Sequence, residues 1–206
     1  MYDFTAVLNK MNGVESFPMA RMIQICLMFD DIAIPLNSIK KLLSGGAADI
    51  SLNDARHILA YKKVIESHII NDCGYGITVA LLDDYCNIYS LFMNDKVYYN
   101  FIGTEICSKS SLYDIINGIV GFGSVSDTAA RLFYTISYNR LFKEYSDSIS
   151  FLFITKYLLT KYGKYMLLDD EEIFALKSSM RYTGNKTAID IMYKCFNRYI
   201  IADKTI

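Results

Sequence analysis

The run Ile149 to Leu159, I-S-F-L-F-I-T-K-Y-L-L, constrains the fold most, because its apolar residues fall on nearly every side of a helix. A helix on the outside of a domain keeps a polar face, so one that is apolar all round belongs in the middle of a bundle. A membrane span is the competing reading, but it requires ~20 predominantly apolar residues. This run is shorter and is broken by Lys156. It predicts a buried central helix and no membrane partner.

The surrounding helices are signalled by periodicity, caps and breakers. Apolar residues recur at helical spacing from Val14 to Phe29, and Pro35 ends the pattern. Asn37 is a candidate cap for a short helix through Leu43, closed by Gly45 and Gly46. Ser51 with Asp54 forms an acidic capping box opening a helix to about Ile70. After the break Cys73-Gly74-Tyr75-Gly76, a helix is predicted over Val79 to Phe92. Ser111, Ser126 and Ser148 precede apolar-periodic runs, predicting helices over Leu112 to Val120, Asp127 to Lys143 and Ile149 to Tyr162. Further helices are predicted over Asp170 to Met180 and Lys186 to Tyr199. The exception is Val97 to Ile102, whose β-branched and aromatic residues favour a strand, with Gly103 turning it into a hairpin through Ile106. The fold class is mainly α, a helical bundle with one short β-hairpin.

Composition bounds what such a bundle does. At 206 residues, with 52% hydrophobic and 21% charged residues, the chain suits a single globular domain over 1–206, and no repeat or linker divides it. Lys and Arg number 21 against 22 Asp and Glu, so no basic field draws the chain to phosphate backbones, and nucleic acid is not an expected partner. Cys26, Cys73, Cys86, Cys107 and Cys195 are scattered and never spaced as C-x-x-C, which argues against a disulfide framework and a zinc site. A reducing, cytoplasmic setting is expected. Met1 to Lys10 does not read as a signal peptide.

An ordered series of matches then resembles the Fic family along most of the chain. Phe29-Asp30-Asp31-Ile32-Ala33-Ile34-Pro35-Leu36-Asn37 through Leu42-Leu43-Ser44-Gly45 is similar to I-E-G-N-x-L-T-x-x-E-V-x-x-L-L-x-G without a gap. Ala60-Tyr61-Lys62-Lys63-Val64-Ile65 resembles N-Y-x-x-A-L, and the strand predicted over Val97 to Ile102, within the segment 97–107, falls where the family has its target-binding flap. Ala129-Ala130-Arg131-Leu132-Phe133-Tyr134 resembles the A-A-x-x-H-Y-x-F helix that leads into the motif H-P-F-x-D-G-N-G-R, and Tyr162-Gly163 matches the Y/F-G ending of the helix after it.

Counting on without a gap lays Arg140-Leu141-Phe142-Lys143-Glu144-Tyr145-Ser146-Asp147-Ser148 on that motif. Phe142 keeps its identity and Glu144 keeps the acidic character of the metal-binding position. The catalytic histidine is replaced by Arg140, which cannot accept a proton near neutral pH. The phosphate-cradling G-N-G becomes Tyr145-Ser146-Asp147, where a bulky Tyr145 obstructs the backbone's approach to a pyrophosphate and Asp147 repels anions from a helix N-terminus. The phosphate-binding arginine becomes Ser148. The family's inhibitory motif, (S/T)-x-x-x-E-(G/N)-N, is eroded in parallel within the segment 14–30 and just beyond it, its positions falling on Cys26, Asp30, Asp31 and Ile32.

The resemblance implies a pseudoenzyme that acts by occupying a protein partner, as a host-directed or phage-encoded factor would, with no cofactor, metal or catalytic residue. Its contact surface would combine the vacated pocket of Arg140, Phe142, Glu144, Ser146 and Ser148 with the flap residues Tyr98, Tyr99 and Phe101, whose edge could pair with an extended peptide. The alternative is a divergent transferase in which Arg140 clamps an anionic donor other than AMP and Glu144 binds a metal or acts as base. Other features take plainer readings. Gly184-Asn185-Lys186-Thr187-Ala188 imitates a phosphate loop but reads as a turn and an Asn-capped helix. His57 and His68 are too far apart on one helix to share a metal and read as surface or half-buried side chains. Asp83-Asp84 and Asp169-Asp170-Glu171-Glu172 read as solvated faces at helix starts.

Overall fold

In the computed structural model the described residues are 18–70, 76–93, 96–102, 104, 106–120, 123–163, 165–182 and 185–201. The helices are α1 (Met19–Phe29), α2 (Leu36–Leu43), α3 (Leu52–Val64), α4 (Val79–Met93), α5 (Lys109–Val120), α6 (Val125–Ser137), α7 (Ser146–Tyr162), α8 (Asp170–Tyr182) and α9 (Asn185–Ile201). A π-helical turn, Ile65–Ile70, prolongs α3, and a 3₁₀ turn, Lys143–Tyr145, precedes α7.

The central helix is α7, buried at every position from Ser146 to Leu159 and packed against α1, α4, α6 and the π turn. Its polar side chains stay inside because backbone carbonyls accept from them: Ser150 Oγ donates to Phe133 O at 3.0 Å and Thr155 Oγ1 to Phe151 O at 2.9 Å. Even Lys156 is 1% exposed. The remaining layers are α6 with α9, α3 with α4, and α1 joined to α2, α3 and α8. Among the described residues no helix is long and apolar enough to cross a membrane.

Helix ends follow the expected chemistry with corrections. Asp54 N–H donates to Ser51 Oγ at 3.0 Å, as the capping box predicts. Gly45 and Gly163, at φ 80° and 65°, close α2 and α7 in the left-handed region that glycine adopts without steric cost. Asn37 does not cap α2, which opens two residues earlier with Pro35 as cap, its carbonyl accepting from Ser38 and Ile39 N–H. Ser108 rather than Ser111 caps α5, in a reciprocal pair of N–H to Oγ bonds at 3.1 Å. Ser124 rather than Ser126 caps α6, accepting from Asp127 N–H, and Ser126 is buried. α6 ends at Ser137, short of Lys143, because Arg140 and Lys143 adopt φ 52°, which no helix continues through. α7 then starts at Ser146, ahead of Ser148. Asp169 and Glu172 are not simply solvated: Asp169 N–H donates to Glu172 Oε2 at 2.9 Å and Glu172 N–H to Asp169 Oδ1 at 2.8 Å, a reciprocal box that opens α8.

The hairpin is the main correction, since no strand occurs among the described residues. Val97 N–H donates to Ser90 Oγ at 2.8 Å and Asn100 N–H to Leu141 O at 2.7 Å, so the segment is pinned to α4 and the loop after α6 instead of to a second strand. Gly103 and Glu105, which would form the return, lie outside the described residues, as do 14–17, 71–75 and Gly184.

Candidate functional site

The flap segment and the motif loop meet. Tyr99 lies 4.9 Å from the Phe142 ring and stacks on Phe101 at 5.4 Å, and Lys143 Nζ donates to Tyr98 Oη at 3.1 Å. Lys109 Nζ sits 4.8 Å over the Tyr99 ring, a cation–π contact. Tyr98 remains 49% exposed, while Tyr99 and Phe101 are half-buried. A shallow opening of about 120 Å³, lined by Lys96, Val97, Tyr98, Phe142, Lys143, Glu144 and Tyr145, lies at this junction.

The proposed pocket residues divide into two sets. Arg140 and Glu144 are exposed on the loop. Phe142, Ser146 and Ser148 are buried and unable to meet a partner directly. Ser146 Oγ accepts from Phe142 N–H at 2.9 Å and donates to Lys143 O at 2.8 Å, so it ties the loop to itself. Ser148 Oγ donates to Tyr145 O at 3.1 Å. These serines hold the turn, which corrects their expected place on a contact surface.

The space before the α7 N-terminus is filled from inside the chain. Tyr145 turns onto Tyr89 at 5.5 Å and His57 at 6.1 Å, so its ring packs inward beside the start of α7. Asp147 accepts a short hydrogen bond from Ser137 Oγ, and burial raises its pKa despite that bond and the nearby Arg140. Asp30, at the end of α1, accepts a short hydrogen bond from the Tyr61 hydroxyl and faces Ser148 and Asp147. Burial raises its pKa well above the usual carboxylate range. Asp30 thus sets a carboxyl group beside Ser148 and Asp147. His57 and His68 are 5% and 3% exposed, not surface residues, and His68 Nε2 pairs with Asp84 Oδ2 at 3.4 Å.

The loop stores conformational strain in Arg140 and Lys143, both non-glycine residues with left-handed backbone. Lys143→Gly is expected to be more stable than Lys143→Ala by about 1 kcal/mol, because both lose the side chain and only glycine escapes the Cβ clash. Urea unfolding measures the difference; equal midpoints would mean the turn relaxes out of that conformation.

No family model matches this chain, and no curated protein or solved structure matches it significantly.

Proposed function

We propose that this chain is a degenerate Fic-like domain that binds a protein partner and transfers no AMP, with the crossing of the flap segment and the motif loop as its contact surface. The observation that carries the reading is the inward packing at the start of α7, where Tyr145 lies on Tyr89 and the buried Asp147 carboxyl accepts from Ser137 Oγ. A helix N-terminus attracts anions only while its N–H groups are accessible and no carboxylate precedes the ligand. The proximity of Asp30 to Ser148 supports the same reading, since the resemblance lays these residues on the positions of the family's inhibitor and phosphate arginine.

The rival reading, transfer of another group by Arg140 and Glu144, asks the opening to admit a donor. Its volume of about 120 Å³ falls short of the roughly 300–1,000 Å³ typical of small-molecule sites. Partner binding fits the surface better. Tyr98 offers an exposed ring beside Lys143, and in an extended segment its backbone groups can pair with a peptide strand.

Two readouts test this. Incubation of the chain, and of Arg140→His, with ATP and magnesium is expected to leave both intact masses unchanged, because the histidine alone restores no cradle. An AMP adduct on either would overturn the reading. Tyr98→Pro is expected to weaken capture of a protein partner from a lysate of the source cell by tenfold or more, about 1.4 kcal/mol, without altering the helical circular dichroism. Tyr99 is the poorer site for that substitution because its ring packs on Phe142 and its hydroxyl donates to Val79 O at 3.3 Å.

A further inference from the structure

A second concave site, separate from the flap and the motif loop, lies where the end of α1 meets α8. It encloses about 350 Å³ and is lined by Met28, Asp31, Ile173, Phe174, Lys177 and Arg181 among others. That volume lies within the range of small-molecule sites. Its composition is that of an amphipathic ligand's complement. Ile173 is buried, Met28 is half-buried, and Phe174 stands 73% exposed, a large apolar ring that no packing accounts for.

The polar side is built on α8 at helical spacing, Lys177 and Arg181 being one turn apart. Lys177 is 9% exposed, and its Nζ donates to Met28 O at 2.9 Å and Asp31 Oδ1 at 2.5 Å. Arg181 Nη2 donates to Asp31 Oδ2 at 3.1 Å, and its side chain is 47% exposed. A guanidinium carries five N–H donors in a planar fork, so most of its capacity remains open to a second carboxylate. Asp31 is held at φ 62°, in a region unfavourable to non-glycine residues, with its side chain 69% exposed across both cations. The hydrogen bond from Lys177 is the main cause that holds the Asp31 carboxyl below its usual pKa.

We propose that this pocket binds a small amphipathic carboxylate, its acid group on the free edge of Arg181 and its aryl or branched alkyl body against Phe174, Ile173 and Met28. The site already holds a carboxylate of its own on the same cations, which demonstrates the geometry and makes Asp31 a competitor for the ligand. Charge selects the ligand further. The lining charges balance, Lys177 and Arg181 against Asp31 and Asp170, and Arg21 engages Asp170 at 3.0 Å from outside the lining. A site without a large positive excess suits a monoanion better than a phosphate dianion.

The proposal stands apart from the reading of the flap and motif loop, and its test uses the full chain with phenylacetate as probe. Titration followed by calorimetry and amide chemical shifts is expected to give saturable binding with Kd about 1 mM. Arg181→Gln and Phe174→Ser should each weaken it by about tenfold, since one removes the charge-assisted bonds and the other the apolar wall. Asp31→Asn should tighten it several-fold by removing the competitor, and asparagine tolerates the left-handed backbone. Phenylethanol and inorganic phosphate should bind at least tenfold more weakly than phenylacetate. The proposal is overturned by an absence of saturable binding, by equal binding of either control, by indifference to both Arg181→Gln and Phe174→Ser, or by weaker binding to Asp31→Asn.

Discussion

Phe133→Ala is expected to destabilise the protein by about 3–5 kcal/mol, a large share of the roughly 5–15 kcal/mol that a domain of ordinary stability holds. Phe133 is fully buried on α6, with its ring 5.7 Å from Phe29 on α1 and 6.0 Å from Phe196 on α9. Phe29 also meets Phe151 of the central helix at 5.7 Å, so one ring system ties α1, α6, α7 and α9 together. Truncation loses both the transfer of the ring from water and the contacts of neighbours that cannot close the void. Phe174→Ala on α8 is the control, because an exposed ring should cost within about 0.5 kcal/mol. Urea unfolding midpoints compare the two. A midpoint for Phe133→Ala close to the parent's would mean that the helices do not meet around this ring.

The central helix was legible because continuous apolarity admits one solution once the run is too short for a bilayer. Cap positions were less so, and the reason is local. Around Ser108 and Ser111, and around Ser124 and Ser126, neighbouring serines compete, and spacing favours the one nearest the apolar run, whereas α7 opens after Tyr145 with no side-chain cap. What separates them is the partner three residues on: Ser124 has Asp127 where Ser51 has Asp54, and both accept from that residue's N–H. The composition of Val97 to Ile102 favours a strand, but β preference expresses packing against a neighbour, and the segment's partners are Ser90 and Leu141.

At the candidate site, a bulky ring at Tyr145 is legible in the sequence, but its packing on Tyr89 and His57 is not. The burial of Ser146 and Ser148 was not, since serine suits both a surface and a capped turn. Nor could the sequence reveal the left-handed backbone at Asp31, Arg140 and Lys143, where no glycine marks it. Lys177 and Asp31 are 146 residues apart, and only the fold brings them together. Local rules say which groups a helix presents; the other half of each pair comes from packing.

Asp30→Asn is expected to stabilise the protein at pH 7 by about 1–2 kcal/mol, raising Tm by roughly 3–6 °C. Asp30 is half-buried as a residue, but Oδ1 is inaccessible and makes no hydrogen bond, while Tyr61 donates to Oδ2. Burial is the first cause of its raised pKa, and the carboxyl of Asp147, itself raised by burial, adds repulsion that Ser148 and Lys177 only partly offset. A carboxyl whose pKa is higher in the fold than in the unfolded chain binds its proton more tightly when folded. Its penalty is therefore full above the folded pKa, shrinks as pH falls through that value, and vanishes below the unfolded value of about 3.9. Asparagine removes the ionisation, keeps an acceptor for Tyr61, and places an N–H donor toward the hydroxyls of Ser148 and Tyr89, the latter also buried without a hydrogen bond. The gain over the parent should be largest at pH 7 and should shrink on acidification, as the parent's own carboxyl takes up a proton. Calorimetric melting of both proteins between pH 7 and pH 4 reads that convergence. A constant offset across the range would mean that Asp30 does not change its ionisation there, and a variant less stable at pH 7 would mean that the carboxylate is held by attractions stronger than its burial opposes.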